Sequence, residues 1–124
     1  MKYRLEVIKS KQYCYINAYV DGNSGRIGKL GVEYVGGKKA KVIYVFTRPC
    51  YTNKGVATAM LNKAIEEFSG YELTLNIVPM PREGEKITVK GLANFYEKFG
   101  FRRTDDICLP TMIRKPSLPT LGEQ

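Results

Sequence analysis

The residues best suited to chemistry lie between Val45 and Leu61, in the run VFTRPCYTNKGVATAML. A hydrophobic run leads to Pro49, after which Gly55 and Ala57 open a stretch with the period of a helix. Such a turn leaves the first backbone N–H groups of the helix without intrahelical partners and converging on one spot, where the helix dipole also favours negative charge. Thr52, Asn53, Lys54, Gly55, Val56, Ala57 and Thr58 are therefore candidate phosphate-binding residues. Small side chains at Gly55 and Ala57 let a phosphate reach the donors, and Lys54 adds charge beside them. The same residues also fit an ordinary helix start after a turn.

Other chemistries are excluded or disfavoured by what the chain lacks. It has no histidine, which removes the Ser-His-Asp and Cys-His routes to an activated nucleophile and the commonest neutral-pH base. Its three cysteines, Cys14, Cys50 and Cys108, are widely spaced and odd in number, which argues against a zinc site and a disulfide framework. Twenty basic against twelve acidic side chains give a net charge of +8, a field that attracts polyanions: nucleic acid, acidic protein surfaces or a multiply phosphorylated cofactor.

The elements that must position the candidate loop follow from periodicity. With 124 residues, 44% hydrophobic and 26% charged, a single folded domain over 1–115 with a loose tail at 116–124 is expected. No apolar stretch approaches the roughly 18 residues of a membrane span, and MKYRLEVIKS alternates instead of forming a secretory core, so a cytoplasmic location is expected. Residues 3–8 and 13–20 alternate as strands, the second placing Cys14, Ile16, Ala18 and Val20 on one face. Turn clusters at 21–25 and Gly36-Gly37 make strands two, three (ending GVEYV) and four (KVIYVF) an antiparallel meander. From 54 to 68 the residues Ala57, Met60, Leu61, Ala64, Ile65 and Phe68 form one apolar helical stripe, capped by Gly70. The alternating strand 71–78 then implies a right-handed parallel crossover. A loop at 79–86 precedes a short helix begun by Thr88, with Leu92, Phe95, Tyr96 and Phe99 on one face and Gly100 at its end. Phe101 to Arg103 and Ile107 to Arg114 close the sheet, with Pro110 at an edge or bulge.

The segment around Gly55 and Ala57 resembles the acyl-CoA signature of the GNAT acyltransferase superfamily, Gln/Arg-x-x-Gly-x-Gly/Ala after a strand and a proline. The later run LANFYEKFGF, 92–101, resembles that family's second signature, an aromatic pair in a short helix followed by Gly-Phe. The two stand in the family's order, and with the strand order the likeness covers about 3–114. It implies an α/β (α+β) fold: a mixed, mostly antiparallel sheet of six to seven strands, parallel central strands four and five, and two main helices. It implies acetyl-CoA (coenzyme A) as donor and a primary amine as acceptor, attacked directly and without a metal. It further places Val45, Phe46 and Thr47 along the pantetheine arm and makes Tyr96 the general acid that protonates the departing thiolate, suited to a phenol of pKa about 10.

Two departures from the family pattern are visible. Thr52 stands where Gln or Arg is expected, so its phosphate contact falls to Lys54, Lys98 or backbone N–H groups. Only Lys9 to Gln12 separate strands one and two, where the family carries one or two helices walling the acceptor site. The acceptor side is thus expected to be open, completed by a second subunit in a homodimer, or shaped for a macromolecule; a small amine, a protein and aminoacyl-tRNA all remain open as acceptors. Glu33, the only acid of the central strands, is the candidate general base, against the plainer reading of a solvent-facing strand residue. Glu83 and Glu85 are weaker candidates. Two alternatives stand beside the enzyme: a CoA-binding regulatory module without turnover, and a basic nucleic-acid-binding protein, suggested by the charge and nine tyrosines.

Overall fold

The computed structural model describes residues 3–20, 25–48, 51, 55–77, 89–104 and 111–116. Strand β1 (Tyr3–Lys9) pairs antiparallel with β2 (Tyr13–Val20), and β2 with β3 (Arg26–Gly36). Next come β4 (Lys39–Thr47), helix α1 (Val56–Glu67), β5 (Glu72–Asn76), helix α2 (Val89–Glu97), β6 (Arg102–Arg103) and β7 (Thr111–Arg114). The seven strands form one sheet in the order β1-β2-β3-β4-β5-β7-β6, in which β4 and β5 are the parallel pair. This is the mixed sheet and two-helix architecture read from the sequence. Among the described residues no helix is long and apolar enough to cross a membrane.

The predicted elements lie close to the observed ones. The meander turns at Gly36, Gly37 and Lys38, all at positive φ (106°, 62° and 61°), which two glycines adopt without the Cβ clash other residues suffer. The helical stripe buries Met60, Leu61 and Ala64, with Phe68 as the C-cap and Gly70 left-handed at φ 88° behind it. The predicted turn at 21–24, the loop 79–86, the Thr88 cap, Ile107 to Pro110 and the tail from 117 lie outside the described residues.

One face of the sheet meets α1. Cys14, Ile16 and Ala18 of β2 stand in register with Val32, Leu30 and Gly28 of β3, and all of these are buried on that face. A Cβ at Gly28 would stand 3.0 Å from Val56 Cγ1 and from Met60 Cε, so glycine there lets the first turns of the helix settle onto the strand. Helix α2 joins the same core through Ala93, and the Arg114 Nε donates to the Phe99 carbonyl at its end (2.7 Å). The opposite face of β1 to β4 bears Tyr13, Tyr15, Tyr19, Lys29, Tyr44 and an exposed Phe46. There Tyr44 lies across Gly31, where a Cβ would stand 2.7 Å from its ring, and Lys29 sits over the rings of both Tyr15 and Tyr44.

A register shift interrupts the β3–β4 ladder. Gly31 pairs with Tyr44 and Val32 with Val42, so Ile43 is an extra residue, a bulge that adds twist to β4. The ladder from β4 to β5 runs from Lys39–Glu72 to Val42–Leu75, and among the described residues no β4–β5 pair follows it, while β4 itself continues to Thr47.

An ion pair ties the sheet edge to the far end of α1. Lys9 Nζ lies 2.6 Å from Glu67 Oε1, and the contact lowers the Glu67 carboxyl below the ordinary carboxylate value and raises the Lys9 ammonium above that of a free lysine. A lowered acid contributes stability above its unfolded pKa, near 4.5, that is lost as pH falls through the folded value; a raised base contributes below about 10.5 and is lost above the folded value. Lys9→Met is expected to lower the melting temperature at pH 7 and low salt. That deficit should shrink as pH falls below about 4.5 and as it rises above about 10.5, and with added salt, in thermal melts across pH.

Candidate functional site

The chain leaves β4 in a fixed direction. The Arg48 N–H donates to the Ile27 carbonyl (2.8 Å) and its Nε to the Arg26 carbonyl (2.7 Å), holding the strand end against β3. The Tyr51 N–H then closes a turn onto the Arg48 carbonyl (2.8 Å). Helix α1 starts with Gly55 as its N-cap, left-handed at φ 81° and ψ 5°, with no side-chain capping bond and no acidic residue in the first turn. A glycine cap has no oxygen to offer the N–H groups of the first turn, so that end of the helix keeps its positive pole for an external anion.

These residues wall a cavity of about 410 Å³, lined by Thr47, Tyr51, Gly55, Val56, Ala57, Thr58, Phe95 and Lys98. Its position is between the end of β4, the N-terminus of α1 and one side of α2. Of the residues expected to hold a cofactor, Thr47, Gly55, Val56, Ala57, Thr58 and Lys98 are brought together here. Thr52, Asn53 and Lys54 lie outside the described residues. Val45 packs against the core, and Phe46 turns its ring to the opposite face at 48% exposure. The basic Lys98 and the uncapped helix end give the cavity an electropositive character suited to phosphate.

The two candidate proton-transfer residues sit apart from this cluster. Tyr96 does not line the cavity; its neighbour Phe95 does, the two rings meeting edge-on at 5.4 Å. Tyr96 also packs on Phe101 (6.0 Å), and burial pushes its phenol pKa above the usual value, so it stays protonated through neutral pH. Glu33 pairs with Tyr13 and Lys41 on the sheet face opposite α1. Sequence reasoning missed Tyr51 and Phe95 as cavity residues. Phe95 reads from sequence as part of an apolar helix face and of the aromatic pair in the second signature, not as a cavity wall, and nothing local in Tyr51 marks it.

With that geometry in place, comparison with known proteins identifies the family. The model of the acetyltransferase (GNAT) domain matches residues 11–103, three quarters of the chain, and the chain belongs to the GNAT acetyltransferase family. Similar solved structures include the PaiA N-acetyltransferase of Thermoplasma acidophilum in complex with coenzyme A (24% identity, TM-score 0.65, 84% of this chain and 61% of that one). Others are an acetyltransferase of Thermus thermophilus (15%, 0.66, 84% and 64%) and the ribosomal-protein-S18-alanine N-acetyltransferase of Escherichia coli (17%, 0.66, 90% and 74%). This chain spans less than two thirds of the length of the first two. No curated protein matches it significantly.

Gly55 carries the sharpest local demand. An alanine there must adopt a left-handed conformation that costs about 1–2 kcal/mol, and its Cβ would stand 3.3 Å from the Tyr3 hydroxyl. Gly55→Ala is expected to lower stability by about that amount in urea unfolding, and to weaken binding of inorganic diphosphate in calorimetric titration.

Proposed function

We propose that this chain is an N-acetyltransferase that moves an acetyl group from acetyl-CoA to a primary amine by direct attack. The observation that carries this reading is the glycine-capped start of α1, which walls one cavity together with the end of β4 and Lys98. The helix end offers N–H groups to a diphosphate, and the extended strand end beside it suits an amide-bearing arm laid along it. Coenzyme A has those two parts in that order. Val45, Phe46 and Thr47 would lie along the pantetheine, the N–H groups at Gly55 to Thr58 would hold the diphosphate, and Lys98 would add a further charge for phosphate. The coenzyme A in the Thermoplasma acidophilum relative supports the choice of donor.

Within this reading the amine nitrogen attacks the thioester carbonyl carbon, a tetrahedral intermediate forms, and the C–S bond breaks. The departing sulfur takes a proton from the Tyr96 hydroxyl, and the new ammonium loses one to a base, Glu33 directly or through water. Burial keeps the Tyr96 proton in place at neutral pH. Holding donor and amine together supplies much of the rate, since positioning alone is worth several kcal/mol. A homodimer and a cytoplasmic setting belong to the same reading.

A second reading, a coenzyme-binding module without turnover, draws on the separation already described: Tyr96 does not line the cavity, and Glu33 faces the other side of the sheet. Tyr96→Phe distinguishes the two. An acetyltransferase with Tyr96 as acid loses about 10²- to 10⁴-fold in kcat while its affinity for CoA holds. Thiol release from acetyl-CoA in the presence of small amines, peptides and aminoacyl-tRNA measures this. Wild-type protein that binds CoA but releases no thiol with any of them would favour the module.

A further inference from the structure

Strand β1 is the far edge of the sheet, separated from β4 by two strands, yet its first residue reaches the candidate donor site. The Tyr3 hydroxyl donates to the Gly55 carbonyl at 3.1 Å across 52 residues of sequence. Tyr3 pairs with Val20 at the end of the β1–β2 ladder and packs its ring against the core, so the hydroxyl is held where α1 begins. The same carbonyl accepts the first bond of the helix, from the Ala59 N–H (3.0 Å). Both lone pairs of that oxygen are thereby used.

The consequence lies on the other side of the peptide. In a trans peptide the carbonyl and the following N–H point in opposite directions, so fixing the Gly55 oxygen also fixes the Val56 N–H. Val56 and Gly55 both line the cavity. A hydroxyl donated to the carbonyl also polarises the amide, strengthening what its N–H can donate by roughly 10–30%. The need for such a device follows from the cap: Gly55 has no side chain to hold the turn, and glycine at φ 81° is the residue with most freedom to leave it.

We propose that Tyr3 is a positioning residue of the donor site, its hydroxyl fixing and polarising the Gly55–Val56 peptide so that the Val56 N–H is presented to the donor's diphosphate. This rests on the acyltransferase reading above. Tyr3 precedes the residues that the family model matches, which begin at 11.

The test compares wild-type protein with Tyr3→Phe, which removes one oxygen and keeps the ring. Titration with CoA and with inorganic diphosphate should show affinities weakened roughly three- to tenfold, the span of one hydrogen bond's net contribution, while pantetheine, which lacks the diphosphate, binds as before. In the ¹⁵N-labelled, unliganded proteins the Val56 amide resonance should move. Equal CoA affinity in the two proteins, an equal loss for all three probes, or an unmoved Val56 resonance would each overturn the proposal. Wild-type protein that binds neither CoA nor diphosphate would overturn the acyltransferase reading itself, and this inference with it. That outcome is distinct from a wild type that binds both and a variant that binds them equally well.

Discussion

A sheet normally gains from extending every ladder it can, because each added pair satisfies one more donor and acceptor. Here the β4–β5 ladder stops after Val42–Leu75, where the extra residue Ile43 enters β4 on its β3 side. Beyond the bulge β3 keeps hold of β4 through Leu30–Val45, Lys29–Phe46 and Gly28–Thr47. The strand end at Thr47 is therefore fixed in place by its antiparallel neighbour. The start of α1, the turn closed by Tyr51 and the inward side of α2 gather around it and enclose the cavity.

The parts of this arrangement that depend on regular periodicity were readable from sequence. A stripe at Met60, Leu61, Ala64 and Phe68 can serve only a helix with one buried side, and those residues are buried. Glycines at 36 and 37 reported a tight reversal, and the switch from period two to 3.6 and back implied the parallel crossover. The bulge was not readable: KVIYVF has the composition of an unbroken strand, and the slip at Ile43 shows only in its pairing with the neighbouring strand, where the Tyr44 ring lies over Gly31. The Tyr3 contact was hidden for a related reason, since it joins residues 52 apart through three-dimensional packing. The glycine and alanine of the helix start were legible because their requirement is steric and local. The roles given to Tyr96 and Glu33 came from resemblance, and the fold sets both apart from the cavity.

The short link between β1 and β2 shapes the other side of the molecule. Ser10 to Gln12 make the reversal, with the Ser10 N–H and hydroxyl both donating to the Tyr13 carbonyl (2.8 and 3.2 Å). No helix interrupts these two strands, and the face opposite α1 carries stacked Tyr13 and Tyr15, with Arg4 over Tyr19 and Lys29 between Tyr15 and Tyr44. Rings and cations alternate there, and Tyr19 donates to Glu6 across the strands, while the buried Tyr44 hydroxyl and Asn17 Oδ1 find no hydrogen-bond partner among the described residues.

The edge strand and the first helix have matching lengths. The six steps from Tyr3 to Lys9 extend about 20 Å at 3.3 Å per residue, and the twelve steps from Gly55 to Glu67 about 18 Å at 1.5 Å per residue. That match lets Tyr3 fasten one end of the helix and Lys9 the other, so β1 acts as a splint along it. A load on the first strand is therefore shared between its ladder to β2 and the two ends of the helix, one of which borders the cavity.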